Sequence, residues 1–298
     1  MLKLGHFLGK TTVFLVMGLS AVFAAGTVAA QEPILVFKSG DQIQRWTRAA
    51  LLAQAQDLHI AKDSAYKRSM TYRAVPIARL LPQVAQYQSV QFVASDGFVA
   101  NIAGADLAGK AQAYLAIEPA DQAWPALSLD NPAKAASAGP FYLVWLNPEA
   151  GNISGEQWPY QIATISIAAT LTQRYPQIIP IASASAGGNH QQAMRGMQIY
   201  VKNCAVCHTM NGGGDAAIGP DLNLPLNPTE YFQEKYLRQL IRLPASVRSW
   251  KHALMPGFDE KAISAADLDD LLVYLKQMKR QRPSAAVATG ERVKNKAN

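Results

Sequence analysis

Cysteine is the scarcest informative residue here: 298 residues contain two, Cys204 and Cys207. Two thiols exclude a disulfide framework and an all-cysteine zinc site. Residues 31–203 contain none, so no thiolate is available there to hold a metal. Charge is also sparse: 16% of residues are charged while 49% are apolar, which excludes a chain too polar to fold. No internal repeat is visible. The net charge of +7 is concentrated at the ends. Lys3 and Lys10 give residues 1–30 a charge of +2. Residues 276–298 carry seven bases against Glu291, so +6, which leaves −1 for residues 31–275. A near-neutral body without a basic, aromatic-interleaved stripe excludes nucleic acid as a partner.

Residues 1–30 read as an export signal. Lys3 and Lys10 form a basic start, Thr11–Ala25 is uncharged, and Val28-Ala29-Ala30 before Gln31 fits a cleavage site. The competing reading is an uncleaved membrane anchor, since Thr11–Ala30 is 20 residues, enough to span a bilayer. The Ala- and Gly-rich second half favours cleavage. Either way the rest of the chain lies outside the cytoplasm, and a periplasmic location follows. Small and polar residues at 181–189 read as a linker. Residues 283–298, without an apolar residue larger than valine, read as a disordered basic tail. The organisation is therefore a first domain at 32–180 and a second at 190–282.

The second domain carries Cys204-Ala205-Val206-Cys207-His208. In an exported chain, C-x-x-C-H reads as covalent c-type haem attachment. Each thiol can add to one vinyl group of the porphyrin, and the adjacent imidazole reaches the iron. A redox dithiol is the alternative, but it wants a strand before the motif. Here Ala193, Gly196, Met197 and Tyr200 predict a helix instead. An electron carrier needs a sixth iron ligand, and the candidates are Met194, Met197, Met210, Met255, Met278 and His252. Met194, Met197 and Met278 lie on or beside packing faces, and Met210 is too close to the motif to cross the ring. Met255 lies 47 residues after His208 and precedes Pro256, which biases it to extended backbone. It is preferred as the distal ligand, with His252 as the rival.

Ser264 and Asp267 predict the start of a last helix, with Leu268, Leu271, Leu272, Leu275 and Met278 as its apolar stripe. A middle helix is predicted at 229–243 with Thr229 as its cap. Gly212-Gly213-Gly214 suits a chain running close to a flat ring. With Gly219-Pro220 these features make residues 190–282 resemble a class I c-type cytochrome. The resemblance implies one covalent haem c, His208 as proximal ligand, Met255 as distal ligand, Gly219-Pro220 as support for the histidine, and a crossing of first and last helices near Gly196, Tyr200 and Tyr274.

The first domain predicts mixed strands and short helices. Ile34–Phe37, Val90–Val93, Phe98–Ile102, Phe141–Leu146 and 161–168 read as strands, and Arg48–Ala55 and Val75–Leu81 as short helices. Ser95-Asp96-Gly97 reads as a turn. Tyr72 to Leu81, Ala94 to Phe98, Tyr114-Leu115-Ala116, Gly139 to Val144 and the Trp158 region resemble the oxidoreductase molybdopterin-binding, sulfite-oxidase-like domain. Catalytic members bind molybdenum through a cysteine that is missing here. The domain is therefore expected to be non-catalytic and to bind no molybdopterin. His59, Trp46, Trp124, Trp145 and Trp158 read as surface, core or partner contacts.

The fold expected is thus multidomain, an α+β sulfite-oxidase-like domain followed by an all-α cytochrome c domain. Three functions fit. The first is a periplasmic monohaem electron carrier between redox proteins such as a dehydrogenase and an oxidase, with a docking or structural first domain. The second is the haem subunit of, or a fusion with, a molybdopterin-dependent dehydrogenase. The third is a haem-based ligand sensor.

Overall fold

Strand-forming β-branched and aromatic residues build two sheets in the first half of the computed structural model. The structure describes residues 32–283 except 129, 132–134, 183–188, 217 and 250–251. The leader, most of the linker and nearly all of the tail expected from the sequence lie outside the described residues. The chain opens on a hairpin of β1 (Ile34–Ser39) and β2 (Gln42–Thr47), turned at Gly40-Asp41. Thr47 caps the short helix α1 (Arg48–Leu52) by accepting from the Ala50 amide at 3.2 Å. Then follow β3 (Gln56–Ile60), β4 (Met70–Pro76), α2 (Ile77–Leu80), β5 (Ser89–Ala94) and β6 (Val99–Ile102). After α3 (Gly104–Leu107) come β7 (Gln112–Ile117), β8 (Phe141–Leu146), β9 (Ile162–Ala168) and α4 (Leu171–Arg174).

One sheet has the order β2-β1-β9-β5-β6 and the other β3-β4-β7-β8. All pairings are antiparallel except β1 with β9, which joins the start of the domain to its end. Leu35, Phe92 and Ile165 of the first sheet share one core with Tyr72, Leu115 and Leu143 of the second. β8 is covered on both faces, so its sequence FYLVWL lacks alternation. Trp124, Trp145 and Trp158 are buried in this core, and Trp46 stacks on Phe37 with centroids 5.3 Å apart. His59 is exposed on β3, its Nδ1 3.3 Å from Thr71 Oγ1. Asp63, fully buried, accepts from the Tyr72 hydroxyl at 2.8 Å, the Tyr142 hydroxyl at 3.1 Å and the amides of Ala65 and Tyr66 at 2.8 Å. Every oxygen of that carboxylate is thus partnered, which is what allows it to be buried.

The second half is helical. Its elements are α5 (Asn189–Asn203), α6 (Pro228–Tyr231), α7 (Glu234–Arg242), α8 (Pro244–Val247) and α9 (Ala265–Arg280). Ala193, Gly196, Met197 and Tyr200 form the buried face of α5, as the spacing predicts. α9 begins at a reciprocal capping box between Ser264 and Asp267, and Leu268, Leu271, Leu272, Leu275 and Met278 are all buried. The two helices cross at Gly196, where a Cβ would stand 2.6 Å from the Asp270 carbonyl carbon and 2.7 Å from Tyr274 Cβ. Tyr200 and Tyr274 pack at the same crossing, ring centroids 5.4 Å apart.

The middle helix differs from expectation. It is two helices, α6 and α7, interrupted at Phe232 and Gln233, both of extended backbone. The cap is Asn227 rather than Thr229, because Asn227 forms a capping box with Glu230 and its amide is held by the Leu275 carbonyl at 3.0 Å.

The boundary between the halves also differs. Leu171 and Ile178 lie in the helical core, so the end of the 32–180 segment packs with the helices. The Tyr274 hydroxyl donates to the Ile178 carbonyl at 2.9 Å. Conversely Val206, inside the cysteine motif, belongs to the core of the sheets. The Val99 amide of β6 donates to the Val206 carbonyl at 3.1 Å. Arg174 forms a two-pronged ion pair with Asp215, which also accepts from the Tyr175 hydroxyl at 2.9 Å and Asn101 Nδ2 at 3.3 Å. The described residues belong to one compact unit. No helix among them is long and apolar enough to cross a membrane.

Candidate haem site

The motif follows α5 without a break in hydrogen bonding. The amides of Cys204 and Ala205 both donate to the Tyr200 carbonyl at 2.8 Å. The amides of Cys207 and His208 donate to the Cys204 carbonyl at 3.0 and 2.9 Å. This turn sets the two sulfurs and the imidazole at the end of one rigid helix. The Tyr200 hydroxyl, itself at the helix crossing, donates to the His208 carbonyl at 3.0 Å.

His208 is held on two sides. Its Nδ1 lies 2.7 Å from the Pro220 carbonyl oxygen, which only a protonated Nδ1 can satisfy as donor. In the neutral ring this leaves the Nε2 lone pair free for a metal. Burial pulls the histidine pKa down, the Pro220 carbonyl and Asp221 opposing it, so the neutral ring is the form present at neutral pH. Gly219 lies flat against the ring: a Cβ there would come within 2.5 Å of Nδ1. The Gly219 amide donates to the Cys207 carbonyl at 2.8 Å, locking this support to the motif.

Burial pushes both cysteine thiols up to about 12. Redox dithiols work with lowered pKa values, so this environment disfavours thiol exchange and suits sulfurs consumed in bonds to a prosthetic group.

Among the methionine candidates, Met210 and Met278 are 0% exposed and Met197 6%. Met194 packs on the helical core. All four are occupied by packing. Met255 is 36% exposed and lies in coil, its thioether committed to no core. His252 is exposed in the same coil. Met255 and His252 are thus the two candidates that lie outside the packed cores. Leu243 and Leu254 add apolar surface that is 58% and 41% exposed.

Sequence reasoning missed the loop's polar frame. Asp221 accepts from Thr209 Oγ1 at 2.8 Å and from the amides of Asn211, Gly212, Asn223 and Leu224 at 3.2, 2.8, 2.7 and 2.8 Å. Asn223, fully buried, donates to Asn211 Oδ1 and to the Met278 carbonyl, both at 2.7 Å, and accepts from Asn227 at 2.9 Å. This ladder ties the loop after His208 to the end of α9. In the glycine run Gly212 and Gly214 take positive φ in a tight turn, and Gly213 packs on Gln177 and Ile178. Among the described residues no cluster of three or more His, Cys, Asp or Glu is placed to hold a metal ion.

Residues 193–279 match the family model described as Cytochrome c. The match supports a C-terminal c-type cytochrome domain with covalently bound haem c. Through this domain it supports a haem-containing electron-transfer protein, with redox proteins in general as partners. No family match supports the sulfite-oxidase-like resemblance of residues 32–180. No curated protein matches the chain.

Proposed function

We propose that the chain is an exported, periplasmic carrier of single electrons built on one haem c. Cys204 and Cys207 form the two thioether links, His208 Nε2 is the proximal iron ligand and Met255 the distal one. The haem supplies a reversible one-electron couple when bound; the protein fixes its ligands and keeps water from the ring. The observation that carries this reading is the pairing of His208 Nδ1 with the Pro220 carbonyl over Gly219, which orients the free nitrogen before any metal binds. Met255 would hold the iron through a soft thioether, which would favour the ferrous state, and His208 through its imidazole. In this reading residues 32–180 are a structural or partner-docking domain of sulfite-oxidase-like descent, without molybdenum.

The test is the purified full chain. Its mass should exceed the polypeptide mass by one haem, and its reduced-minus-oxidised spectrum should be that of a c-type haem. A chain without bound haem would end the proposal. Stoichiometric molybdenum in the same preparation would move the function to a fused dehydrogenase.

A further inference from the structure

Residues 253–259 contain no helix or strand. Their C-terminal end is fastened within the helical half: the Phe258 amide donates to the Ile241 carbonyl at 3.0 Å and the Phe258 side chain is buried. Gly257 rests between the end of α7 and the start of α8, where a Cβ would stand 3.3 Å from the Arg242 carbonyl carbon and 3.4 Å from Pro244 Cδ. Their N-terminal end is fastened from elsewhere. Asn131 Nδ2, on the loop between β7 and β8 in the sheet half, donates to the Ala253 carbonyl at 3.1 Å. Met255 thus sits in a strap fastened towards its C-terminal end to the helical half and at Ala253 to the sheet half. The sheet half also holds the attachment segment, through the Val99 amide on the Val206 carbonyl.

We infer that Asn131 is a positioning residue for the distal ligand: the sheet half holds the strap closed, and loosening that anchor frees Met255 from the iron. The inference rests on the assignment of Met255 as iron ligand. It gives the first domain a concrete task.

The haem-loaded full chain is compared with Asn131→Ala, Asn131→Asp and Asn131→Gln. Two quantities are read: hydrogen exchange of the amides in 252–258, and carbon monoxide binding to the reduced protein. Asn131→Ala and Asn131→Asp both lose the donor. They should raise strap exchange and carbon monoxide binding by about three- to tenfold, the population shift that follows loss of one hydrogen bond. Asn131→Gln keeps the donor and should fall between them and the wild type. Unchanged exchange in Asn131→Ala would overturn the anchor. Raised exchange with unchanged carbon monoxide binding would overturn its control of the iron. Met255→Ala is the separate check on the ligand assignment. If its ferric spectrum and carbon monoxide binding equal those of the wild type, Met255 is not the ligand and control of Met255 by the strap falls with it. The exchange data report the anchor independently.

Discussion

At the scale of single residues the site depends on what is absent as much as on what is present. Gly219 has no side chain, and that is why the His208 ring can lie against its backbone and reach Pro220. Gly219→Ala should displace the ring and spoil the Nδ1 hydrogen bond. Supporting contacts of this kind are worth about tenfold or more in metal–ligand hold. The expected outcome is a fall of that order in the resistance of the haem site to exogenous imidazole, measured by titration of the absorption spectrum. An unchanged titration would show that the support is dispensable. Asp221→Ala acts differently, because it orphans the four amides and one hydroxyl that the carboxylate accepts. Some of these groups can turn to water, so a cost of about 2–3 kcal/mol is expected in chemical denaturation. The motif residues were legible in the sequence because their spacing is itself the chemistry. Asp221, Asn223 and Asn227 were not, since a polar residue in a loop has solvation as its default and only the fold reveals that Asn223 is buried.

At the scale of elements, α6 and α7 show where helix periodicity misleads. Phe232, Tyr236, Leu237, Leu240 and Ile241 have helical spacing, yet the chain turns extended at Phe232 because Asn227 is tied to α9. Asn227→Ala removes the cap on Thr229 and the bonds to the Leu275 carbonyl and Asn223 Oδ1, and should cost about 2–3 kcal/mol. Asn227→Asp retains the cap acceptor but buries a carboxylate oxygen against those two acceptors, so it should not restore the wild-type urea midpoint. Glu230 and Glu234 give this region a pH dependence. The Asn227 amide and Arg282 hold the Glu230 carboxyl below its ordinary value, while Lys276 and Arg238 do the same for Glu234. A lowered folded-state pKa means the contribution is complete above the ordinary carboxylate range and disappears as pH falls through the folded value. The contacts of α6 and α7 with α9 should therefore loosen on acidification below about pH 4.5. Glu234→Gln should flatten its share of that slope. In the sheets, β1, β5, β6, β8 and β9 are readable as apolar runs. β2 and β3 are not, because QIQRWT and QDLHI are short and mostly polar and become strands only by pairing with β1 and β4. The parallel pairing of β1 with β9 joins segments more than a hundred residues apart, a register no local pattern can encode.

At the scale of the whole molecule, two apparent domains share their boundary. Val206 of the cysteine motif lies in the core of the sheets, and Leu171 and Ile178 of the preceding segment lie in the core of the helices. Each half therefore finishes the other's core, and neither exposes a complete surface of its own. Cooperative unfolding follows from such exchange. Tryptophan fluorescence is weighted to the sheet half, where Trp46, Trp124, Trp145 and Trp158 lie, whereas helical circular dichroism is weighted to α5, α7 and α9. The two signals should give one midpoint and one slope in urea. Asp215→Ala should lower the unfolding free energy by about 2 kcal/mol, and the common midpoint with it, since it strands the partly buried Arg174. It should not split the transition, because Val99, Val206, Leu171 and Ile178 still join the halves. Two separate transitions in the wild type would mean that the crossing residues contribute little. The strap over Met255 would then be anchored to a domain free to open without unfolding the site.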